Sequence, residues 1–144
     1  MGKGKLIIIE SGSDASGKAT QSQRLYERLI SEGKECLKIT FPDYASDSSA
    51  LVKMYLNGDF GKDPNDVSPY ISSTFYAADR YASYKTKWGD FYENGGIIIS
   101  DRYTTSNLIY QSALIDDIEE KKKFIDYISD LEYNKLGIRK PDKV

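Results

Sequence analysis

A glycine-rich segment near the N-terminus has residue types and spacing suited to binding phosphate. Gly12, Gly17 and Lys18 fit the pattern G-x-x-x-x-G-K, directly after a predicted strand and at the start of a predicted helix. In such a loop, backbone N–H groups surround phosphate oxygens, and the lysine reaches the β- and γ-phosphates of a nucleotide. The predicted phosphate-binding residues are Gly12, Ser13, Asp14, Ala15, Ser16, Gly17, Lys18, Ala19 and Thr20.

One position of this loop lacks the usual metal-binding hydroxyl. Ala19 occupies the position at which serine or threonine normally coordinates Mg²⁺, and a methyl group cannot bind a metal. Thr20 lies about 100° further around the helix, so its hydroxyl is not a simple replacement. We therefore expect Mg²⁺ to be held by nucleotide phosphates, water and nearby carboxylates.

A second chemical pair follows the apolar segment 97–100. Asp101 and Arg102 stand at the carboxyl end of this predicted parallel strand, the edge at which ligands collect in open α/β sheets. Asp101 can bind Mg²⁺, directly or through water, and Arg102 can hold a phosphate through two N–H donors. From these two residues alone, an ordinary surface ion pair explains the pattern equally well. The phosphate loop favours the binding site.

A predicted helix carries a third pair. Tyr76 and Arg80 are four residues apart on one helix face, which suits a base stacked on the ring and a phosphate near the guanidinium. Considered in isolation, an exposed Tyr–Arg pair is the simpler interpretation, because the chain contains 12 tyrosines. The residues of this helix predicted to face the core are Ile71, Phe75, Ala78 and Ala82.

Strands and helices alternate along the chain, which predicts a parallel sheet covered by helices on both faces. The predicted strands are 5–10, 35–41 and 97–100. The first predicted helix begins at 18 and has a stop signal at Gly33. The other predicted helices cover 49–56, 68–92, 104–114 and 118–136, and the last ends near Gly137. Phe124, Ile128 and Leu131 are predicted core residues of the final helix. Residues 140–144 resemble the start of another strand, so we expect this edge to belong to a longer protein.

The composition limits the remaining possibilities. The chain has 144 residues, of which 40% are apolar, so one domain covering 1–144 is expected. The chain contains no histidine and one cysteine, which excludes an internal disulfide, Cys/His zinc sites and histidine-dependent catalytic dyads. The cysteine, Cys36, is predicted to be a buried strand residue. A net charge of -2 gives no general attraction to nucleic acid or membrane. With no recognisable membrane span or signal peptide, a cytoplasmic location is the default expectation.

Taken together, four segments resemble the thymidylate kinase family. They are SGSDASGKATQ (11–21), FPDY (41–44), FYAADR (75–80) and DRYTTSNLIYQ (101–111). The resemblance implies a three-layer P-loop NTPase fold, the phosphorylation of dTMP to dTDP by ATP, Mg²⁺ as cofactor, and a homodimer. In the family, the lid and the adenine-binding loop follow the strand that begins here near Val144, so we expect the C-terminal part to be missing.

The same resemblance implies roles for individual residues. The implied catalytic residues are Lys18, Asp14, Asp101 and Arg102, with Asp101 also binding the metal. The implied dTMP-binding residues are Asp14, Phe41, Tyr76, Arg80, Arg102, Asn107, Tyr110 and Gln111, of which Tyr110 would exclude a ribose 2′-hydroxyl. The chain departs from the family at Ser11, where glutamate is usual, and at Tyr44, where many members have a phosphate-binding arginine.

Two alternatives stay open from the sequence. A deoxynucleoside kinase or another nucleotide kinase would share the phosphate loop and the Asp-Arg strand end but differ in its acceptor pocket. A nucleotide-binding module that has lost catalysis would account for Ala19 and for the end of the chain at Val144.

Overall fold

Three parallel strands form a sheet in the described part of the chain, which comprises residues 4–9, 18–104 and 111–144 of this computed structural model. The strands are β1 (Lys5–Ile9), β2 (Cys36–Thr40) and β3 (Ile97–Asp101). β3 is central, and Ile9 of β1 and Thr40 of β2 both pair with Asp101. The carboxyl ends of the strands therefore lie side by side at one edge, as the sequence predicts.

Helices connect and cover the strands. The α-helices in the described residues are α1 (Lys18–Ser31), α2 (Ala50–Leu56), α3 (Pro69–Ser83), α4 (Gly89–Glu93) and α5 (Ile118–Ser129). Short 3₁₀ turns lie at Asp47–Ser49, Pro64–Asp66 and Ser112–Leu114, and π-helical segments at Tyr84–Trp88 and Asp130–Lys135. The predicted helix 68–92 is thus α3, a π-helical segment and α4, while much of the predicted helix 104–114 lies outside the described residues. No helix in the described ranges combines the length and the apolar character needed to cross a bilayer.

Local sequence signals explain where helices begin and end. The hydroxyl of Ser68 accepts a hydrogen bond from the N–H of Tyr70 at 3.2 Å, and Pro69 occupies the first position of α3, as predicted. Gly33 after α1 and Gly137 after the second π-helical segment have φ angles of 80° and 69°, which glycine adopts at little cost. Both predicted stop signals are confirmed.

The central strand is covered on both faces. Ile98, Ile99 and Ser100 are consecutive and fully buried, although successive strand residues point to opposite faces. Burial of this kind is typical of a parallel sheet between two layers. α1 packs against all three strands and α4 packs against β3.

The end of the chain lies beside β1 and joins it through one isolated bridge. Lys143 forms a parallel bridge to β1, where its carbonyl accepts a hydrogen bond from the N–H of Ile8 at 2.8 Å. The carboxylate of Asp142 accepts a hydrogen bond from the N–H of Leu6, also at 2.8 Å. The predicted strand start near the C-terminus is therefore confirmed.

The hydrophobic core joins β1 and β3 to the first π-helical segment and α4. Its buried members are Leu6, Ile8, Phe41, Trp88, Tyr92, Ile98, Tyr103 and Ile138. The Trp88 ring makes edge-on contacts with the rings of Tyr84 at 4.9 Å and Tyr92 at 5.8 Å between centroids. These aromatic contacts hold the connection between α3 and α4 against the sheet.

Predictions for the remaining core residues are mostly confirmed. Phe124 and Ile128 of α5 are fully buried, and Leu131 is partly buried. Cys36 in β2 is only partly buried, although desolvation still raises the pKa of its thiol. Phe124 and Ile128 therefore make α5 a packed element of the domain.

The buried side of α3 differs from the predicted one. Ile71 is 52% exposed, Ala78 is exposed, and Phe75 and Ala82 are only partly buried, so that prediction is wrong. The buried residues of α3 are Ser72, Ser73, Ala77, Asp79, Arg80 and Ser83. The helix can bury this polar face because its side chains find hydrogen-bonding partners in other segments, as described below.

Candidate functional site

The segments that follow the strands begin next to one another. The N–H of Arg102 donates to the carbonyl of Ile9 at 3.1 Å, and the N–H of Phe41 donates to the carbonyl of Asp101 at 3.0 Å. β1 ends at Ile9 and α1 begins at Lys18, which confirms the strand and the helix predicted on either side of the phosphate loop. The end of β3 therefore adjoins Ile9, the last described residue before that loop.

Part of the predicted site lies outside the described residues. This applies to Ser11, Gly12, Ser13, Asp14, Ala15, Ser16 and Gly17, to Asn107 and Tyr110, and to the side chains of Lys18 and Ala19. Thr20, in the first turn of α1, is exposed. The roles expected for these residues stay predictions.

Arg102 has an unusual backbone conformation directly after β3. Its φ of 71° lies in the left-handed region, which costs a residue with a side chain roughly 1 to 2 kcal/mol. Its N–H is held by the carbonyl of Ile9, and its carbonyl accepts a hydrogen bond from the hydroxyl of Ser100 at 2.5 Å. Residues in strained conformations cluster at ligand-binding positions, where the surrounding structure fixes the direction in which the side chain leaves the backbone.

Tyr76 of α3 lies among the charged and aromatic residues of the predicted acceptor pocket. Its ring meets that of Tyr55 edge-on, with 6.5 Å between centroids. Burial raises the pKa of Tyr76 to about 12; the neighbouring Tyr44 and Tyr55 add to this, and the guanidinium groups of Arg102 and Arg80 oppose it. Tyr76 and Arg80 lie one turn apart on α3, and Arg102, directly after β3, acts on the Tyr76 hydroxyl through its charge.

Arg80 is buried and paired, so the interpretation as an exposed Tyr–Arg pair is wrong. Its side chain is 1% exposed, and that of its partner Glu132 is 0% exposed. The Nε of Arg80 donates to Oε1 of Glu132 at 2.5 Å, and its Nη2 lies against the same oxygen. Sequence analysis missed Glu132. A glutamate in a segment that also contains Asp130 and Lys135 gives no signal in the sequence that its side chain is buried.

Phe41 and Gln111, both expected at the acceptor pocket, are buried as well. The Phe41 ring is 3% exposed and lies 5.8 Å from the ring of Tyr103. The side-chain carbonyl of Gln111 accepts a hydrogen bond from the hydroxyl of Ser72 at 2.7 Å. Phe41 therefore belongs to the hydrophobic core at the edge of the site, and Gln111 ties its segment to α3.

A network of carboxylates holds the segment between β2 and α2. Asp79 of α3 accepts hydrogen bonds from the N–H of Asp43 at 2.8 Å and from the hydroxyl of Ser48 at 2.5 Å. The Asp43 carboxylate accepts a hydrogen bond from Ser46 at 2.9 Å and forms an ion pair with Lys87. Burial alone would raise the pKa of Asp43, but the contacts with Lys87 and Ser46 outweigh it and hold that pKa below its usual value. Sequence analysis missed Asp79 and Lys87.

Among the described residues at the strand ends, Asp101 carries the carboxylate that could bind Mg²⁺. Within residues 4–9, 18–104 and 111–144, no group of three or more Asp, Glu, Cys or His residues could hold a metal by itself. Mg²⁺ at phosphoryl-transfer sites is commonly bound by one or two carboxylates together with phosphate oxygens. Asp101 is partly buried and pairs with Ile9 at the end of β1, so a single aspartate of this kind fits that requirement.

The parallel sheet, the strand–loop–helix connection and the Asp-Arg strand end define the fold of a P-loop nucleotide kinase. The family model described as thymidylate kinase matches residues 9–144. The chain therefore belongs to the thymidylate kinase family, and the resemblance inferred from the sequence is confirmed.

Individual relatives support the same assignment. The chain is 32% identical over 106 residues to the thymidylate kinase of Synechococcus sp. (strain JA-3-3Ab), covering 74% of this chain and 49% of that protein. It is 33% identical over 139 residues to that of Cyanothece sp. (strain PCC 7425 / ATCC 29141), covering 82% and 57%. A solved structure of thymidylate kinase from Candida albicans matches with a TM-score of 0.68 and 30% identity, covering 88% of this chain and 56% of that one. The chain thus spans about half the length of these relatives.

Proposed function

We propose that this chain supplies the acceptor side and the phosphate loop of a thymidylate kinase, which transfers the γ-phosphoryl group of ATP to dTMP. The observation that carries the proposal is the position of Arg102, which is held in the left-handed region directly after β3 by a hydrogen bond to Ile9, the last residue of β1 before the phosphate loop. An aromatic ring and two guanidinium groups suit a flat base that carries a phosphate. The family assignment supplies the reaction class.

The reaction requires placement and charge neutralisation more than proton transfer. An oxygen of the dTMP phosphate forms the new bond to the γ-phosphorus of ATP, and the bond from that phosphorus to the β,γ-bridging oxygen breaks, leaving ADP. The acceptor phosphate is already an oxyanion at neutral pH, so no general base is needed. Arg102 would hold this phosphate, and Lys18 would hold those of ATP, so that the reacting atoms lie in line.

Other residues would orient the two nucleotides. Tyr76 would stack on thymine, and Asp14 would lie near the 3′-hydroxyl of the sugar. Arg80 is buried against Glu132, so it would contact the base or its phosphate only through guanidinium N–H groups that Glu132 does not take. Bound Mg²⁺ would neutralise charge on the ATP phosphates, and Asp101 is the residue proposed to hold it, directly or through water. Asn107, Tyr110 and Gln111 complete the acceptor pocket in this proposal.

A coupled ADP-release assay tests the function. The 144-residue chain and a version extended past Val144 by the remainder of a family relative would receive Mg·ATP with dTMP, dUMP, thymidine or dGMP. We expect the extended form to prefer dTMP, and the 144-residue chain to bind dTMP with little turnover. Preference for thymidine would instead identify a deoxynucleoside kinase, and binding of dTMP without turnover by either form would identify a module without catalysis.

We also propose that the chain forms a homodimer through the outward face of α3. The apolar stripe that the sequence assigned to the core is largely outside: Ile71 is 52% exposed, and the partly buried Phe75 ring lies 5.6 Å from the ring of Phe60, tilted by 41°. Exposed apolar side chains repeating every three or four residues on one helix suit packing against a second helix. A second copy of this chain would bury the stripe without requiring another partner.

Sedimentation analysis tests the dimer. Ala78→Arg places a charge in the middle of the stripe and is expected to shift the protein to monomer, whereas Asp126→Arg, on the exposed side of α5, is the control. A dimer unaffected by Ala78→Arg would place the interface elsewhere. The single domain 1–144 and the cytoplasmic location stay predictions.

A further inference from the structure

Asp79 is a buried charged residue to which the proposed reaction gives no role. It lies in α3 and is 1% exposed. Burying a carboxylate is costly unless hydrogen bonds replace its water, and both oxygens of Asp79 are used: Oδ2 by the N–H of Asp43 and Oδ1 by the hydroxyl of Ser48. Both donors belong to the same short segment.

That segment, residues 41–48, leads from the end of β2 toward α2. Its first residue is tied to the sheet edge by the hydrogen bond between the Phe41 N–H and the Asp101 carbonyl at 3.0 Å. Asp79 then holds two points further along, so the backbone between them has few other conformations available. Tyr44 lies between these points and is 50% exposed, and the 3₁₀ turn Asp47–Ser49 that follows it packs against α3, the helix that carries Tyr76.

Arg80, the residue after Asp79 in α3, points toward a different segment from Asp79. Successive residues on an α-helix point about 100° apart. Asp79 therefore faces the 41–48 segment, while Arg80 faces Glu132 in the second π-helical segment. One turn of α3, the helix that carries Tyr76, thus binds both of these segments. A displacement of the 41–48 segment would move Tyr44 relative to Tyr76 and Arg102.

We infer that Asp79 is a positioning residue for the acceptor nucleotide. By fixing the 41–48 segment against α3, it sets the position of Tyr44 relative to Tyr76 and thereby the affinity for dTMP, without itself touching the nucleotide. This inference rests on the proposed function. It predicts an effect on acceptor binding that differs from a general loss of stability.

Calorimetric titration of the 144-residue chain with dTMP, combined with amide hydrogen exchange of the 41–48 segment, tests this role. Asp79→Asn keeps the shape but can accept fewer hydrogen bonds from the two donors, so we expect about tenfold weaker dTMP binding and faster exchange in 41–48, with exchange of β1 and β3 unchanged. Ser48→Ala removes one of the two bonds and is expected to weaken binding about threefold. Asp90→Asn, the same change at an exposed carboxylate in α4, is the control and should change neither measurement.

The outcomes separate this inference from the proposed function. If the unaltered chain binds dTMP and both Asp79→Asn and Ser48→Ala bind it equally well, the positioning role is refuted and the proposed function stands. If the unaltered chain does not bind dTMP, both are refuted. Should Asp79→Asn fail to fold, Ser48→Ala decides the question by the same two measurements.

Discussion

Removing the carboxylate of Glu132 is expected to destabilise the chain strongly, because the guanidinium of Arg80 would lose its counter-charge inside the protein. The two side chains are 1% and 0% exposed, and Nε of Arg80 lies 2.5 Å from Oε1 of Glu132. Deleting one partner of a buried ion pair costs about 3 to 5 kcal/mol. Since domains are stable by only about 5 to 15 kcal/mol, Glu132→Ala would remove a large share of the free energy of unfolding.

Urea unfolding measures this loss directly. Trp88 is the single tryptophan and is fully buried in the core, so its fluorescence reports global unfolding. The comparison includes Glu132→Ala and the double variant Arg80→Met/Glu132→Leu, in which neither charge remains. Apolar replacement of a whole buried pair is often neutral or stabilising, so the double variant is expected to be more stable than Glu132→Ala.

The control is Glu119→Ala at an exposed position in α5, which should change the free energy of unfolding by no more than about 0.5 kcal/mol. A loss below about 1 kcal/mol for Glu132→Ala would mean that the pair behaves like a surface ion pair, contrary to the reasoning above. A double variant less stable than Glu132→Ala would also contradict it, because the uncompensated charge would not be the cause of the loss.

Three further substitutions test other parts of the site. Arg102→Gly should be about 1 kcal/mol more stable than Arg102→Ala in urea unfolding, because glycine adopts the φ of 71° without strain. Both variants should lose affinity for dTMP. Equal stabilities of the two variants would argue against strain at this position. A tyrosine in the unfolded chain ionises near pH 10, whereas burial raises the pKa of Tyr76 to about 12. Because the unfolded chain loses this proton first, Tyr76 lowers the stability of the fold as pH rises from about 10 to 12, so Tyr76→Phe should lose less stability over that range than the unaltered chain. A parallel loss in both proteins would show that another group is responsible. Ala19→Ser should change the Mg²⁺ concentration for half-maximal turnover by no more than about threefold, since phosphates and carboxylates supply the ligands. If this substitution raised the affinity for Mg²⁺ and the turnover by orders of magnitude, the natural chain would be impaired in metal binding.

The sequence predicted the elements whose patterns are local. The β-branched run of β1 and the run of β3 ending at Asp101 identified buried parallel strands, and Ser68-Pro69 identified the start of α3. These signals depend on neighbouring residues only, so no knowledge of the tertiary structure was needed. The family motifs then indicated which strand ends belong to the site.

The orientation of α3 could not be predicted in the same way. Periodicity identifies an apolar stripe but not the surface that covers it, and the stripe of Ile71 and Ala78 faces outward. The opposite face is polar because Asp79 and Arg80 bind partners that are 31 to 52 residues away in the sequence. Contacts at such separations depend on the completed fold, and for that reason Asp79 and Glu132 gave no signal in the sequence.

The most direct test of the whole account is the affinity of the chain for a linked dinucleotide, in which adenosine and thymidine are joined 5′ to 5′ by a chain of phosphates. If the phosphate loop and the end of β3 form one crevice, this compound should bind more tightly than dTMP alone, and both Lys18→Ala and Arg102→Ala should weaken it. Binding no tighter than that of dTMP, or sensitivity to only one of the two substitutions, would contradict the account.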